Sequence, residues 1–565
     1  METKPKAGFF SLSDDQFNRL IAVLIAIVTV LVAVITYLQN DAAARDDQAN
    51  RDSKRYSVEA FGRQVSGTAR VNFDESVAYQ MLYGARLSAD VAAANEDELA
   101  AQRYTSLADQ IVKFSPLLAL PYYDPKGLEG PDIAGYITAA YLREITALQE
   151  KYAAAWVVKN AWDYKANTYI LYITLLAVVL FLFGLAATLA KTRARWIFVG
   201  LGVLIALVAV AGSLALWVTP VQDLRQQGSA IADYSDGVGL AFQGQYDAAV
   251  TAFDRALAVY PDYRNALVER AGAQMSLENY QAAVDDYRAV IQRGDQRAFV
   301  AGNLGWAAYM QGDFQQAIDA NRTGLQTSPD ELWIQFDLGL SLLAAGQIEQ
   351  ARTEYSRGME MASRWVKESV AAGQEPPAFL WWSLYDAALS LDELLSVLDE
   401  GNGSPPPATI RNPEMVRTAA QELLTRLKSL VVALEYTNEP PVGTVSARVG
   451  ALQFAVPLYD SAGEIVGHTD PVTEFEAGVT RIWVQFDFEG FTDGQQYLVK
   501  LYVDGEEDPS WRVQGTWDSG TAGSMGILLE NDYGDVFAFD PGYYEMEFYV
   551  DHHLVQRGSF TVLEQ

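Results

Sequence analysis

Three stretches of this chain show no hydrophobic rhythm at all. Leu20–Leu38, Tyr169–Ala190 and Trp196–Val218 are apolar on every face and carry no charge. Each is close to the roughly 20 residues a helix needs to cross about 30 Å of hydrocarbon. Tyr37, Tyr169, Tyr172, Trp196 and Trp217 stand at or near their ends, where amphipathic rings favour the interface. Between the first two runs, residues 39–168 place apolar side chains three and four apart, the period of an amphipathic helix. The segment "ITAAYLREITALQEKYAAAWVVKNAWDYKANTYI" continues into the second run without Gly or Pro, so the membrane helices are predicted to extend into an extramembrane helical bundle. Only "SPLLALPYYDPKGLEGPD" (115–132) reads as a loop, with Tyr122 and Tyr123 expected to cap the bundle and a partner contact as the alternative. Beyond the proline-containing linker "NEPPVGT" the period drops to two: Ile482, Val484, Phe486 and Phe488 alternate with Trp483, Gln485 and Asp487. Several such runs, separated by Gly, Asp and Asn turns, predict an antiparallel β-sandwich.

Between membrane segment and sandwich the helical pattern repeats. Tyr246, Tyr280, Phe314 and Ile348 are 34 residues apart; Ala249, Ala283, Ala317 and Ala351 follow in phase. Nine positions before the large residue stand Gly237, Ala271, Gly305 and Gly339, and seven after it Phe253, Tyr287, Asn321 and Tyr355. Small residues let the two helices of a hairpin approach, an aromatic fills the space between hairpins, Gly244, Gly312 and Gly346 make the turn, and Pro261 and Pro329 close the unit. A strict period of 34 with these residues in these phases resembles the tetratricopeptide repeat. Asp233 where the family often has Trp, Asn321 in an aromatic's place, and Gly324 and Gly358 in place of alanine are departures within single units. The resemblance implies an α-solenoid over about 230–365. Two further helical segments, out of phase within 366–437, are expected to cap it.

These readings make a multidomain α + β chain. It has a cytoplasmic N-terminus (1–19), spans at 20–38, 169–190 and 196–218, a bundle at 39–168, four repeats, capping helices and an acidic β-sandwich at 443–565. The turn 191–195, "KTRAR", is expected in the cytoplasm because short basic loops stay inside. Lys4, Lys6 and Arg19 agree with it, so the N-terminus is expected inside and the solenoid and sandwich outside a bacterial plasma membrane. The first run exceeds the apolar core of a cleaved leader and reads as an anchor.

Charge and chemistry narrow the function. The net charge of −31 disfavours nucleic acid, and residues 440–565 alone hold 21 acidic against 5 basic side chains. With no cysteine and only His468, His552 and His553, thiolate and histidine chemistry have little material. The acidic turn "VDGEEDP" fits no calcium-loop spacing and reads as solvated. No nucleotide, hydrolase, kinase or zinc-protease motif occurs, so no catalytic residue, metal or cofactor is expected. The repeat resemblance implies a concave groove lined at Tyr234, Asn265, Glu269, Asn303, Trp306, Trp333, Phe336 and Asp337. Positions that are basic in carboxylate-clamping members here hold Tyr234, Val238, Glu269, Phe299 and Asn303. The groove therefore suits an apolar or basic peptide, through apolar and cation–π contact. The end, "PGYYEMEFYVDHHLVQRGSFTV", resembles the last hairpin of bacterial immunoglobulin-like or fibronectin-like surface modules. The expectation is a membrane-anchored scaffold or adaptor for an envelope complex. A transmembrane sensor, a permanent complex subunit and a homo-oligomer stay open, as does a groove filled by the chain's own helices.

Overall fold

The computed structural model describes residues 13–124, 130–189, 193–460, 464–530 and 538–564. Lys4, Lys6, Lys191 and Thr192, which bear on sidedness, lie outside them. The chain forms two compact units, Met1–Glu278 and Asn279–Gln565.

In the first unit α1 (Asp14–Phe73) starts at a Ser13/Gln16 capping box, passes through a π-helical turn at Asp74–Tyr79 and continues as α2 (Gln80–Ala94). Helix α3 (Glu98–Ile111) folds back on α2. After α4 (Ile133–Ile137) and a second π turn at Thr138–Leu142, α5 (Arg143–Thr188) runs antiparallel to α1, and α6 (Ala194–Val218) follows. The α1 face against α5 is built from Ala42, Ala49, Ser53, Ala60 and Gly67, small residues mostly seven apart, which lets the two backbones stay close over many turns. Gly67 has no room for a Cβ because Tyr141 lies on it. Toward the other end Ile21, Val28 and Ile35 pack with Leu176, Phe183 and Val199. Helices α1/α2, α4/α5 and α6 each contain a window long and apolar enough to cross a membrane.

The π turns meet a buried polar contact. Asp74 is fully buried, paired with Arg70 at 2.8 Å and accepting from the Tyr136 hydroxyl. Burial, then the bond to Asp74, pushes the Tyr136 phenol up to about 12. In the 115–132 segment Tyr123 is buried and accepts from Arg86 at 2.6 Å, and the Tyr122 ring meets Tyr136 edge-on. The unit ends with α7 (Ala230–Phe242), α8 (Tyr246–Val259) and α9 (Arg264–Ser276).

The second unit continues with α10 (Tyr280–Gln292), α11 (Ala298–Gln311), α12 (Phe314–Thr327), α13 (Leu332–Ala344) and α14 (Ile348–Ala371). Helix α14 thus runs past position 365, where the repeat pattern ends. Helices α15 (Ala378–Glu400) and α16 (Pro413–Thr437) form one more hairpin, α15 against α13 and α16 against α14. The repeat's chemistry is visible inside single hairpins: a Cβ on Gly237 would strike Phe253, and one on Gly339 would strike Tyr355. Gly244, Gly312 and Gly346 all take positive φ, and the same turn position in the second repeat holds Glu278 at φ 59°.

Among the described residues twelve strands follow: β1 (Arg448–Val449), β2 (Gln453–Ala455), β3 (Pro457–Tyr459), β4 (Ile465–His468), β5 (Glu474–Phe475), β6 (Arg481–Glu489), β7 (Gln496–Val503), β8 (Glu506–Glu507), β9 (Val513–Thr516), β10 (Ala522–Glu530), β11 (Gly542–Val550) and β12 (His553–Val562). One sheet has the order β1-β6-β10, with β2 also on β6; the other runs β5-β12-β11-β7-β8, with β9 on β7. Strands β3 and β4 form a separate hairpin. The two larger sheets share one core, with Val484, Phe486 and Phe488 from the first meeting Leu501, Met546, Phe548 and Phe560 from the second. The expectation of an all-antiparallel sandwich needs one correction: β5 pairs parallel to β12, because the chain re-enters the second sheet at its edge rather than through a hairpin.

Candidate protein-binding groove

The eight positions expected to line one groove divide into three groups. Tyr234 and Asn265 are taken by the chain itself. The Asn265 amide donates to Glu150 of α5 at 2.8 Å, and the Tyr263 hydroxyl donates to the same carboxylate at 2.9 Å. Tyr234 is buried against Phe253 and Tyr263. Farther along α7, Asp236 pairs with Arg143 at 3.0 Å, and the Gly239 carbonyl accepts from Thr138 at 3.3 Å. Helix α5 and the turn before it therefore cover the first repeats' inner face. The chain's own helix occupies that part of the groove, and the helix is the extension of the second apolar run, not a C-terminal cap. Glu150 is the residue sequence reasoning missed; an acidic side chain on an otherwise alanine-rich helix face was its only signal.

Phe336 is the second correction. It is 2% exposed, stacked obliquely on Tyr355 and filling the space above Gly358, so it belongs to the core. The glycine at 358, a departure from the repeat's alanine, is what makes room for the ring.

Four of the remaining positions, all in the second unit, form a surface. On α11, Phe299, Asn303 and Trp306 follow at helical spacing, Trp306 stacked on Tyr309 at 5.4 Å. Phe299 is exposed and carries Arg297 over its ring; Asn303 and Trp306 are half-buried. On α13, Trp333 lies half-buried over Gly302, and Asp337 follows one turn later. Helix α15 contributes Trp382, Asp386, Leu389 and Glu393, at i, i+4, i+7 and i+11 on one face. The sequence pattern assigns α15 to capping, which leaves this face out of the expected groove. Glu269, on α9 in the first unit, is exposed.

The electrostatics of this surface are acidic. Asp337 is buried, which pushes its carboxyl well above the usual range, and the Asp386 charge pushes it further. Burial raises Asp386 as well, and burial followed by Asp386 raises Glu393. The arrangement suits capture of a cationic or apolar side chain between indole rings and carboxylates.

By contrast the turn Asp504–Asp508 is spoken for internally. Glu507 pairs with Lys500 at 3.0 Å and with Arg512 at 2.5 Å, Asp504 accepts from the Tyr543 amide at 2.8 Å, and Asp508 caps the short helix at Pro509–Trp511. No group of three or more His, Asp or Glu able to hold a metal occurs among the described residues.

Helical hairpins in phase, with glycine-against-aromatic packing inside them, are the arrangement of tetratricopeptide repeats. The model of that family, described as tetratricopeptide repeat, matches residues 237–298. No curated protein matches the chain. Among solved structures it is similar to MamA of Desulfovibrio magneticus RS-1, with 21% identity over 28% of this chain and 83% of that one and a TM-score of 0.23. It is also similar to YrrB, described as a TPR protein with an unusual peptide-binding site, with 16% identity over 35% and 94% and a TM-score of 0.24. A third is the O-GlcNAc transferase of Thermobaculum terrenum, with 20% identity over 25% and 27% and a TM-score of 0.23.

Proposed function

We propose that this protein is a membrane-anchored, non-catalytic scaffold that holds a basic or apolar peptide segment on the inner face of its later repeats. One observation carries the reading: Trp306, Trp333 and Trp382 share the faces of α11, α13 and α15 with Asp337, Asp386 and Glu393. Trp306→Ala and Trp382→Ala in the full chain are expected to weaken binding of an arginine-containing peptide by up to about 2 kcal/mol each, roughly thirtyfold, and to leave an acidic control peptide unbound. Equal binding by wild type and both variants sinks the groove.

The anchoring half of the reading rests on the three apolar windows and the basic turn between the second and third. In it, the N-terminus is cytoplasmic and the repeats and β region, read as an immunoglobulin-like or fibronectin-like surface module, lie outside a bacterial inner membrane as part of an envelope complex. The chain has no cysteine, so Asn402→Cys and Thr192→Cys can be probed in intact cells with an impermeant maleimide. Labelling at 402 and protection at 192 is the expected pattern; the reverse pattern puts the groove in the cytoplasm. A sensor reading draws on one feature, the continuity of α5 from the second apolar run to the Glu150 contacts with α9.

A further inference from the structure

Helix α1 has a second apolar face, turned away from α5. Val58, Gly62, Val65, Ala69 and Phe73 follow at intervals of four, three, four and four residues, and all are exposed. Val58 is 72% exposed, and Phe61 beside the row is 70% exposed. Beyond the π turn the apolar surface continues through Val77, Met81, Leu87 and Val91, each 41–54% exposed. A soluble helix normally gives its outward face to polar residues. Lipid does not explain this one. The row starts 20 residues past Leu38, about 30 Å farther along a helix rising 1.5 Å per residue.

The glycines separate two kinds of packing on the same helix. Gly67, on the α5 side, is required because Tyr141 fills the space of a Cβ. Gly62, on the free side, has nothing within 4 Å of a Cβ, and neither has Gly84 on α2. Glycine is among the weakest helix formers, so an interior glycine facing open space has no use within one chain. It does have one where a second helix backbone comes close.

We infer that this face is the seam of a parallel homodimer, α1 of one chain lying along α1 of a second copy. The area agrees: the row, Phe61 beside it and the apolar residues beyond the π turn together expose on the order of 800 Å², one partner's share of a standard interface. Symmetry supplies the direction. Two copies inserted the same way into one membrane are related by an axis along its normal, so helices standing on that membrane meet in parallel, each residue opposite itself. Valines alternating with Gly62 and Ala69 at heptad spacing suit such a seam. The parallel sense rests on the membrane reading proposed above; the existence of the seam does not.

The test uses single cysteines in the full chain, in native membranes, under mild oxidation. Val58→Cys, Val65→Cys and Phe73→Cys should each convert the monomer band to one of twice the mass, while Gln64→Cys, exposed but on the α5 side of the helix, should not. Gly62→Leu placed beside Val65→Cys should abolish the doubled band while leaving Gln64→Cys variants equally expressed. Bridging at Val65 but not at Val58 or Phe73 means an antiparallel pair, which overturns the proposal and the common insertion it rests on. No bridging above the Gln64 control, or bridging to a different protein, overturns the self-pairing and leaves the membrane reading intact.

Discussion

At the scale of single residues, the repeats show what a departure from pattern does. Gly237 and Gly339 exist because an aromatic ring, Phe253 or Tyr355, lies where their Cβ would be. In the third hairpin the same pair is Gly305 and Asn321. Asn321 is fully buried, and neither its carbonyl oxygen nor its amide nitrogen has a hydrogen-bond partner. A buried amide without partners costs about 1–3 kcal/mol. The first and fourth repeats show that a ring fits this site over glycine. Asn321→Phe is therefore expected to stabilise the hairpin by about 1–3 kcal/mol. Slower hydrogen exchange in α11 and α12 of the full chain would read it out, and faster exchange there would mean that the ring does not fit. The sequence made this site visible, since Asn321 stands out against Phe253, Tyr287 and Tyr355. What it hid was the absence of any partner.

At the scale of elements, legibility followed the range of the interaction. Periods of 3.6, 2 and 34 residues arise from local geometry, so helices, strands and repeats could be read directly. The mostly seven-residue spacing of Ala42, Ala49, Ser53, Ala60 and Gly67 also lies in plain view, but its partner α5 is about a hundred residues away. The same limit applies to the groove. The contact from Asn265 to Glu150 closes a loop of 115 residues, and nothing local to either residue announces it. Phe336 was misplaced for a different reason. Four-residue spacing puts a side chain on a face without saying how wide the face is, and here Gly358 drew the ring into the core. Helix α15 reads as a cap because it falls out of phase with the 34-residue period. It stacks on α13 nonetheless, since packing needs an apolar stripe and not a conserved register.

At the scale of the whole molecule, the second unit joins two kinds of architecture by more than its linker. Val432 of α16 packs with Leu498, Tyr549 and Leu554 of the β region, and the Leu554 amide donates to the Ser429 hydroxyl at 2.9 Å. Around this apolar centre the charges cross. Lys428 bonds to Glu545 at 2.8 Å and to Glu547, Arg557 reaches Asp392 at 2.5 Å, and Lys500 reaches Glu435 at 3.1 Å. Burial works against the Lys428 ammonium, yet Glu547, Glu545 and Asp392 hold it above its ordinary value. Burial alone would likewise raise Glu547, but Lys428, with hydrogen bonds from Tyr549 and Tyr502, holds its carboxyl below the usual range. The acidic β region thus spends two of its few basic side chains on the helices, and α16 returns a lysine. A joint of this kind should survive loss of chain continuity. A site for a sequence-specific protease inserted before Val442, which is 86% exposed, allows the linker to be cut in the folded protein. The released residues 442–565 are expected to stay with the helical portion through gel filtration, even in 1 M salt, because buried pairs are poorly screened. Lys428→Ala leaves Glu547 buried without its cation, a loss of roughly 3–5 kcal/mol for a broken buried pair, and the cut variant should shed the β fragment. If the unsubstituted cut protein separates as readily, the ion pairs do not hold the joint and the two architectures are tethered only by their linker.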